Sequence, residues 1–252
     1  MLIDTHCHLN KNEYDNVDNI IKNMNGIMIA AGCDDESNLE IIEQVNKYDN
    51  VYGVLGIHPE YVTKVTDESF RIIEENIMNP KIVGIGEVGL DYYWDKTYIE
   101  EQKQLFIKQI ELAKKYNKTV VVHSRDAIED TLSIVKQYPD VKFVFHCFGS
   151  SLEVAKELVK RNIRLGIGGV VTFKNGVKLK EVVEGIDLDY LLLETDSPYL
   201  TPEPYRGKRN EPSNTLYVAQ KIAEIKGIEV DKVIERTAQN AIEQFDLPIS
   251  LW

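Results

Sequence analysis

The chain has 252 residues and sets 29 basic against 41 acidic side chains, for a formal charge of −12; at 43% hydrophobic it has the apolar material for a full core. That composition excludes a disordered or fibrous chain, and the acidic balance excludes a surface that wraps nucleic acid over its whole extent, since such binding comes from Lys and Arg neutralising phosphates. A nuclease with a small, locally positive mouth stays compatible, and three scattered cysteines, Cys7, Cys33 and Cys147, point to a reducing compartment rather than a disulfide framework.

In chain order, strand-like apolar runs occupy 2–8, 26–33, 51–57, 82–87, 119–123, 142–146, 164–168 and 191–196. Their consecutive β-branched and leucine positions suit strands buried on both faces of a parallel sheet. The first run starts at once, whereas a cleavable signal needs roughly 15–30 residues ahead of the mature fold, and cutting there would remove His6 and His8. No run approaches the roughly 18 apolar residues of a membrane span. A cytoplasmic chain without membrane attachment is the expectation.

Helical stripes lie between the strands: Val17, Ile20, Ile21 and Met24; Leu39, Ile42 and Val45; Phe106, Ile110 and Ala113; Ile128, Thr131, Leu132 and Val135. Two more helical segments, 213–226 and 230–244, follow the last strand. No linker, low-complexity stretch or close repeat interrupts the alternation, so residues 1–252 read as a single domain. The pattern predicts an α/β fold, a single (β/α)8 TIM barrel. A doubly wound open sheet is the runner-up, but no G-x-G-x-x-G follows the first strand.

A barrel places its chemistry at the C-terminal ends of the strands. There stand His6 and His8, then His58, Glu87, His123, His146 and Asp196, and these include all five histidines of the chain. Period-2 geometry puts His6 and His8 on one face, where both imidazoles reach one cation at about 2.0–2.1 Å. Glu87, His123 and His146 come from the opposite arc and suit a second ion, with Glu87 central enough to bridge. Alone, an H-x-H pair arises by chance, a strand-end histidine is more often a core residue, and a glutamate among glycines caps a turn. The coincidence of four histidines, His6, His8, His123 and His146, and two carboxylates, Glu87 and Asp196, on five strands is the signal.

Around these, Glu194 is a candidate second-layer acceptor orienting a ligand, or a buried carboxylate with a structural partner. Cys7 and Cys147 point away from the site and read as small buried hydrophobes; Cys33 is open. His58 and Arg125 stand at the mouth as binders of an anionic substrate group, a rim salt bridge being the competing role for Arg125. Arg206, with Lys208 and Arg209, makes the loop after Asp196 the densest basic spot. Tyr92, Tyr93 and Trp94 would stack on bases or pack the rim.

The motifs Ile3-Asp4-Thr5-His6-Cys7-His8-Leu9, Gly56-Ile57-His58-Pro59, Gly84-Ile85-Gly86-Glu87-Val88-Gly89-Leu90-Asp91-Tyr92-Tyr93, Val121-Val122-His123-Ser124-Arg125-Asp126-Ala127, Phe145-His146-Cys147-Phe148-Gly149 and Leu193-Glu194-Thr195-Asp196-Ser197-Pro198-Tyr199-Leu200 span nearly the whole chain. With the loop Pro204-Tyr205-Arg206-Gly207-Lys208-Arg209-Asn210-Glu211-Pro212, the sequence resembles the TatD family of metal-dependent hydrolases. The resemblance implies a pair of divalent cations, one on His6, His8, Glu87 and Asp196, the other on Glu87, His123 and His146. It also implies magnesium-dependent deoxyribonuclease activity. One departure is Glu60, where some nuclease members carry a second histidine after the His-Pro pair; it bears on substrate preference rather than on metal binding.

The expected mechanism is hydrolysis of DNA phosphodiesters by metal-activated water, with Asp196 as general base, Glu87 joining the ions, and His58, Arg125 and Arg206 on the phosphate. The cofactors are two divalent cations among Mg, Mn and Zn; imidazole-rich ligation suits zinc, manganese or iron better than magnesium. DNA is the expected partner, with no membrane and no obligate protein partner inferable. The rival enzyme is a hydrolase of small amides, lactones or aminoacyl esters on the same metal pair, since the fold hosts many chemistries. A metal-binding protein without turnover would lack ligands, and none is missing.

Overall fold

In a computed structural model, which describes residues 1–250, eight parallel strands form one sheet in sequence order. They are β1 (Leu2–Cys7), β2 (Gly26–Ala31), β3 (Val51–Leu55), β4 (Ile82–Asp91), β5 (Thr119–Arg125), β6 (Phe143–Phe145), β7 (Arg164–Ile167) and β8 (Leu191–Leu193). Helices α1 (Val17–Asn23), α2 (Asp35–Lys47), α3 (Asp67–Asn76), α4 (Ile99–Tyr116), α5 (Ile128–Val135), α6 (Leu152–Val159) and α7 (Val177–Gly185) alternate with them, and α8 (Thr215–Lys226) and α9 (Val230–Phe245) complete the order. This is the (β/α)8 barrel that the alternation predicts. Among the described residues no helix is long and apolar enough to cross a membrane.

The strands are hydrophobic on consecutive positions because both faces are covered. Ile3, Ile29, Val54, Val121, Val144 and Leu192 form an inner cluster with Ala238, Ala241 and Phe245 of α9. A larger cluster, including Met28, Leu55, Ile85 and Val122, packs the outer faces against the helices. Helix α9 lies across the strand starts, where Gln244 accepts from the Thr119 hydroxyl through its carbonyl at 2.7 Å.

Closure of β8 on β1 relies on side chains as much as on backbone. Asp196 N–H donates to His6 O at 2.9 Å and His8 N–H to Ser197 O at 2.7 Å. The Thr5 hydroxyl donates to Leu193 O at 3.0 Å. The fully buried Asp4 carboxylate accepts Thr195 N–H at 3.0 Å and meets its hydroxyl at 2.6 Å.

Beyond the regular ladder, side-chain amides from the helices take over as hydrogen-bond partners. Asn38 of α2 bonds both Gly56 O (2.8 Å) and Gly56 N–H (3.1 Å). Gln109 of α4 holds Ile57 N–H at 2.8 Å and its carbonyl at 3.0 Å. Gln102, two turns earlier on the same face, holds Asp91 N–H at 2.9 Å and its carbonyl at 3.0 Å. Each amide supplies the donor and acceptor that a neighbouring strand would have supplied, so no buried backbone group is orphaned there.

Several sequence expectations are corrected. Strand β4 runs four residues past Glu87 to Asp91 and β5 two past His123, because their ladder resumes at Val88–Val122 and ends at Asp91–Arg125. Gly89 permits this approach: its φ is +146° and an added Cβ would meet the His123 carbonyl. Strands β6 and β8 stop before His146 and Asp196, which stand on the loops that follow. The buried face of α2 is Asn38, Ile41 and Val45, whereas Leu39 is half exposed; the clamp on Gly56 turns a polar residue inward and rotates the stripe.

The seam yields a stability prediction. Thr195→Val removes the hydroxyl that meets Asp4 and that accepts Ser197 N–H at 3.1 Å. Urea unfolding of the metal-free protein should show a loss of about 1–3 kcal/mol, read as a lower midpoint at unchanged slope.

Candidate metal centre

The ladder of β1 is interrupted between Asp4 and Cys7, and that of β4 between Ile85 and Val88. These irregularities coincide with His6 and Glu87, as bulges do where a strand must re-aim a side chain. The result is convergence on one carboxylate. Glu87 Oε2 lies 3.4 Å from His6 Nε2 and 3.5 Å from His8 Nε2. Its Oε1 lies 2.8 Å from His123 Nδ1, 2.7 Å from His146 Nε2 and 3.6 Å from His58 Nε2. Every histidine of the chain touches it.

The two oxygens of Glu87 face different environments. On the Oε2 side, His6 Nε2 and His8 Nε2 are 3.4 Å apart, and Asp196 Oδ1 lies 3.7 and 3.4 Å from them. These spacings are too long for good hydrogen bonds. Donors about 2.1 Å from a shared centre at tetrahedral corners stand about 3.4 Å from one another; His6, His8 and Glu87 match that spacing, Asp196 lies at like distance from both rings, and these groups could hold a divalent cation. On the Oε1 side the contacts are hydrogen-bond lengths, so protons hold His123 and His146 against the carboxylate in the metal-free protein. His123 Nδ1 and His146 Nε2 are 3.4 Å apart and present a second set of donors to the same oxygen.

Electrostatics follow from this geometry. Burial alone would lift the Glu87 carboxyl, but His146 and the hydrogen bonds from His123 and His146 hold it well below the usual range. Burial works against a charged His123, yet Asp91 and Glu87 together push it up to about 9. His6 is lowered to about 4 by burial and by its neighbour His146. Burial, then the nearby His123, lowers His58 to about 3. Burial also raises Glu194 to about 7.

The supporting contacts orient the rings. His8 Nδ1 sits 3.2 Å from the Ala31 carbonyl, which places its hydrogen there and frees Nε2. Glu194 is fully buried in space left by Gly166; Oε1 accepts Cys147 N–H at 2.5 Å and is 4.0 Å from His146 Nδ1. At that distance it makes no hydrogen bond with the His146 ring. Cys7 is buried with its thiol toward Ile29 O. Cys33, left open by the sequence, brings its sulfur 3.8 Å from Glu87 Oε2, and burial pushes that thiol up to about 11.

The expected substrate contacts fare differently. His58 is buried and neutral; its Nδ1 accepts Glu60 N–H at 3.3 Å, so the ring hydrogen is on Nε2. Arg125 forms no ion pair among the described residues and instead stacks on Tyr93 (3.7 Å to the ring centre) beside Trp94 (5.3 Å). Arg206 stacks on Phe173 at 3.7 Å. Tyr92 is no stacking group: it is buried and its hydroxyl donates to Asp130 at 2.8 Å. Asp91, given no role from sequence, accepts from His123 Nε2 at 2.9 Å. Its position four residues beyond Glu87, on a strand expected to end at Glu87, is why it was passed over.

Eight parallel strands that deliver imidazoles and carboxylates to one point make this a metal-dependent hydrolase barrel. The family described as TatD related DNase matches residues 3–246, and the chain belongs to it. Among its relatives, YabD of Bacillus subtilis (strain 168), described as an uncharacterised metal-dependent hydrolase, is 43% identical over 252 residues, covering 97% of this chain and 99% of the relative. YcfH of Escherichia coli (strain K12), described in the same words, is 34% identical over 265 residues, covering 99% and 97%. The crystal structure of YJJV, a TatD homologue from Escherichia coli K12, superposes with a TM-score of 0.90 at 27% identity over 98% of each chain.

The raised His123 predicts a pH dependence for metal uptake. Below about 9 the ring carries a proton that a cation on Nδ1 must displace, so binding at that position releases a proton. Affinity should therefore rise by up to about tenfold per pH unit and level off above pH 9. Titration calorimetry in buffers of different ionisation enthalpy measures the proton count, and pH-independent affinity between 7 and 9 would contradict the assignment.

Proposed function

We propose that the chain is a divalent-metal-dependent deoxyribonuclease that hydrolyses phosphodiester bonds. The observation that carries the metal part is the spacing of His6 Nε2 and His8 Nε2, 3.4 Å apart and each 3.4–3.7 Å from Glu87 Oε2 and Asp196 Oδ1. Support for DNA comes from the family's description and from the rim, where Tyr93 and Trp94 are more than half exposed next to Arg125. An aromatic surface beside a guanidinium accepts a base and its phosphate without demanding a broad basic groove. A reducing, cytoplasmic setting fits the three free cysteines.

A pair of divalent cations, one on His6, His8, Glu87 and Asp196 and the other on Glu87, His123 and His146, supplies Lewis acidity and lowers the pKa of water. Imidazole-rich ligation favours zinc or manganese over magnesium, which prefers carboxylates and water. Asp196 has the most solvent contact of the four carboxylate and imidazole groups on the Oε2 side, at 15% against 0–8%, and takes the proton of the attacking water. His58 offers Nε2–H as a neutral donor to a phosphoryl oxygen. Arg125 and Arg206 hold the flanking phosphates on rings that keep their guanidinium planes fixed.

Metal-stripped protein reloaded with Mg, Mn or Zn should degrade single- or double-stranded DNA in preference to small esters, lactones and amides; metal-dependent turnover confined to the small substrates would overturn the nuclease reading. Asp196→Asn should lower kcat by about 100-fold or more at unchanged metal content measured by elemental analysis; a loss within about threefold would remove the base assignment. Trp94→Ala should raise KM for DNA about fivefold with kcat unchanged, the equivalent of about 1 kcal/mol of stacking.

A further inference from the structure

We infer that Asp91 is a positioning residue that sets which ring nitrogen of His123 faces the centre. This rests on His123 being a ligand, as proposed above. His123 is gripped at both ends, with Nδ1 2.8 Å from Glu87 Oε1 and Nε2 2.9 Å from Asp91 Oδ2. Asp91 itself has no freedom to adapt. Its backbone is bonded on both sides by Gln102, its Oδ1 accepts Tyr93 N–H at 2.9 Å, and the residue is 2% exposed. Oδ2 is left as an acceptor aimed at the ring. An acceptor there keeps a hydrogen on Nε2, so the proton that a cation displaces is the one on Nδ1, the nitrogen that faces Glu87 and His146.

The other rings are backed less firmly. His8 Nδ1 has a backbone carbonyl at 3.2 Å, His146 Nδ1 has Glu194 only at 4.0 Å, and His6 Nδ1 has no hydrogen-bond partner among the described residues. His123 is thus the ring whose orientation is delegated to a dedicated carboxylate at bonding distance. An isosteric amide at position 91 would be worse than a gap. With its oxygen taken by Tyr93 N–H, its NH2 group would face Nε2, call for the lone pair there and move the hydrogen to Nδ1, in the path of the ion.

The test is cobalt(II) binding to the metal-stripped full chain, followed by competition titration and by visible absorption. Asp91→Asn should weaken one of the two cobalt equivalents by about 10–100-fold and alter its absorption, with the other equivalent within about threefold. It should bind that equivalent no better than Asp91→Ala, in which water can accept from Nε2. Wild-type affinity in Asp91→Asn, or an alanine variant weaker than the asparagine one, would overturn the proposal. His123→Ala separates the two readings: if it keeps both equivalents at wild-type affinity the ligand assignment fails, and if it loses one that Asp91→Asn retains only the positioning role fails. Nitrogen-15 spectra of the zinc-loaded wild type need no folded variant; hydrogen on His123 Nε2 is expected, and hydrogen on Nδ1 would refute it.

Discussion

A carboxylate taken out of water is tolerated only where other groups replace its hydration. Glu87 is buried, and five imidazoles replace that water, all within 3.6 Å of its two oxygens. Much of the architecture reads as a means to this arrangement. The ladder of β4 breaks at the residue that must point inward, a glycine two positions later lets β5 close up again, and β1 breaks where its histidines turn to meet the carboxylate. The charge is buried because its partners are charged or chargeable, and they are held in place because the sheet around them is apolar and close-packed.

Regular sheet pairing ends just where the chemistry begins, and the backbone that would otherwise be left unsatisfied is caught by amides from surrounding helices. Asn38, Gln109 and Gln102 each bond both the donor and the acceptor of one residue, and those residues adjoin or carry the groups of the site: Gly56 and Ile57 precede His58, and Asp91 backs His123. A side-chain amide matches the peptide unit in polarity but is anchored to a rigid helix. That trades sheet for helix as the support without leaving a loop free to wander.

The fold was legible because a parallel barrel advertises itself twice, through apolar runs and through helices spaced between them. The gathered histidines were legible because strand ends all deliver to one place. What escaped detection depended on geometry that spacing does not carry. The extension of β4 to Asp91 follows from a bulge and from the φ of Gly89, neither visible as a pattern. The inward turn of Asn38 runs against its polarity and is explained only by Gly56, 18 residues away. His58 is expected at the mouth as a binder of an anionic group, and its neutral state is not legible from residue type, since burial beside His123 keeps it so. Tyr92 and Tyr93 are adjacent in sequence yet one is buried and the other exposed, because β4 ends at Asp91 and the chain bends at Tyr93.

The closure seam has a consequence in time as well as in space. In synthesis His6 and His8 are made well before Asp196 and the Thr195 that bonds Asp4; 191 residues separate that bonded pair. Contacts of such long range are entropically expensive until the intervening chain is folded. A nascent chain therefore exposes its first two histidines long before it has the last carboxylate of their set, and the donors meet only once the eighth strand has been laid beside the first. A product that ended before Asp196 would therefore carry a partial set of donors and no finished site.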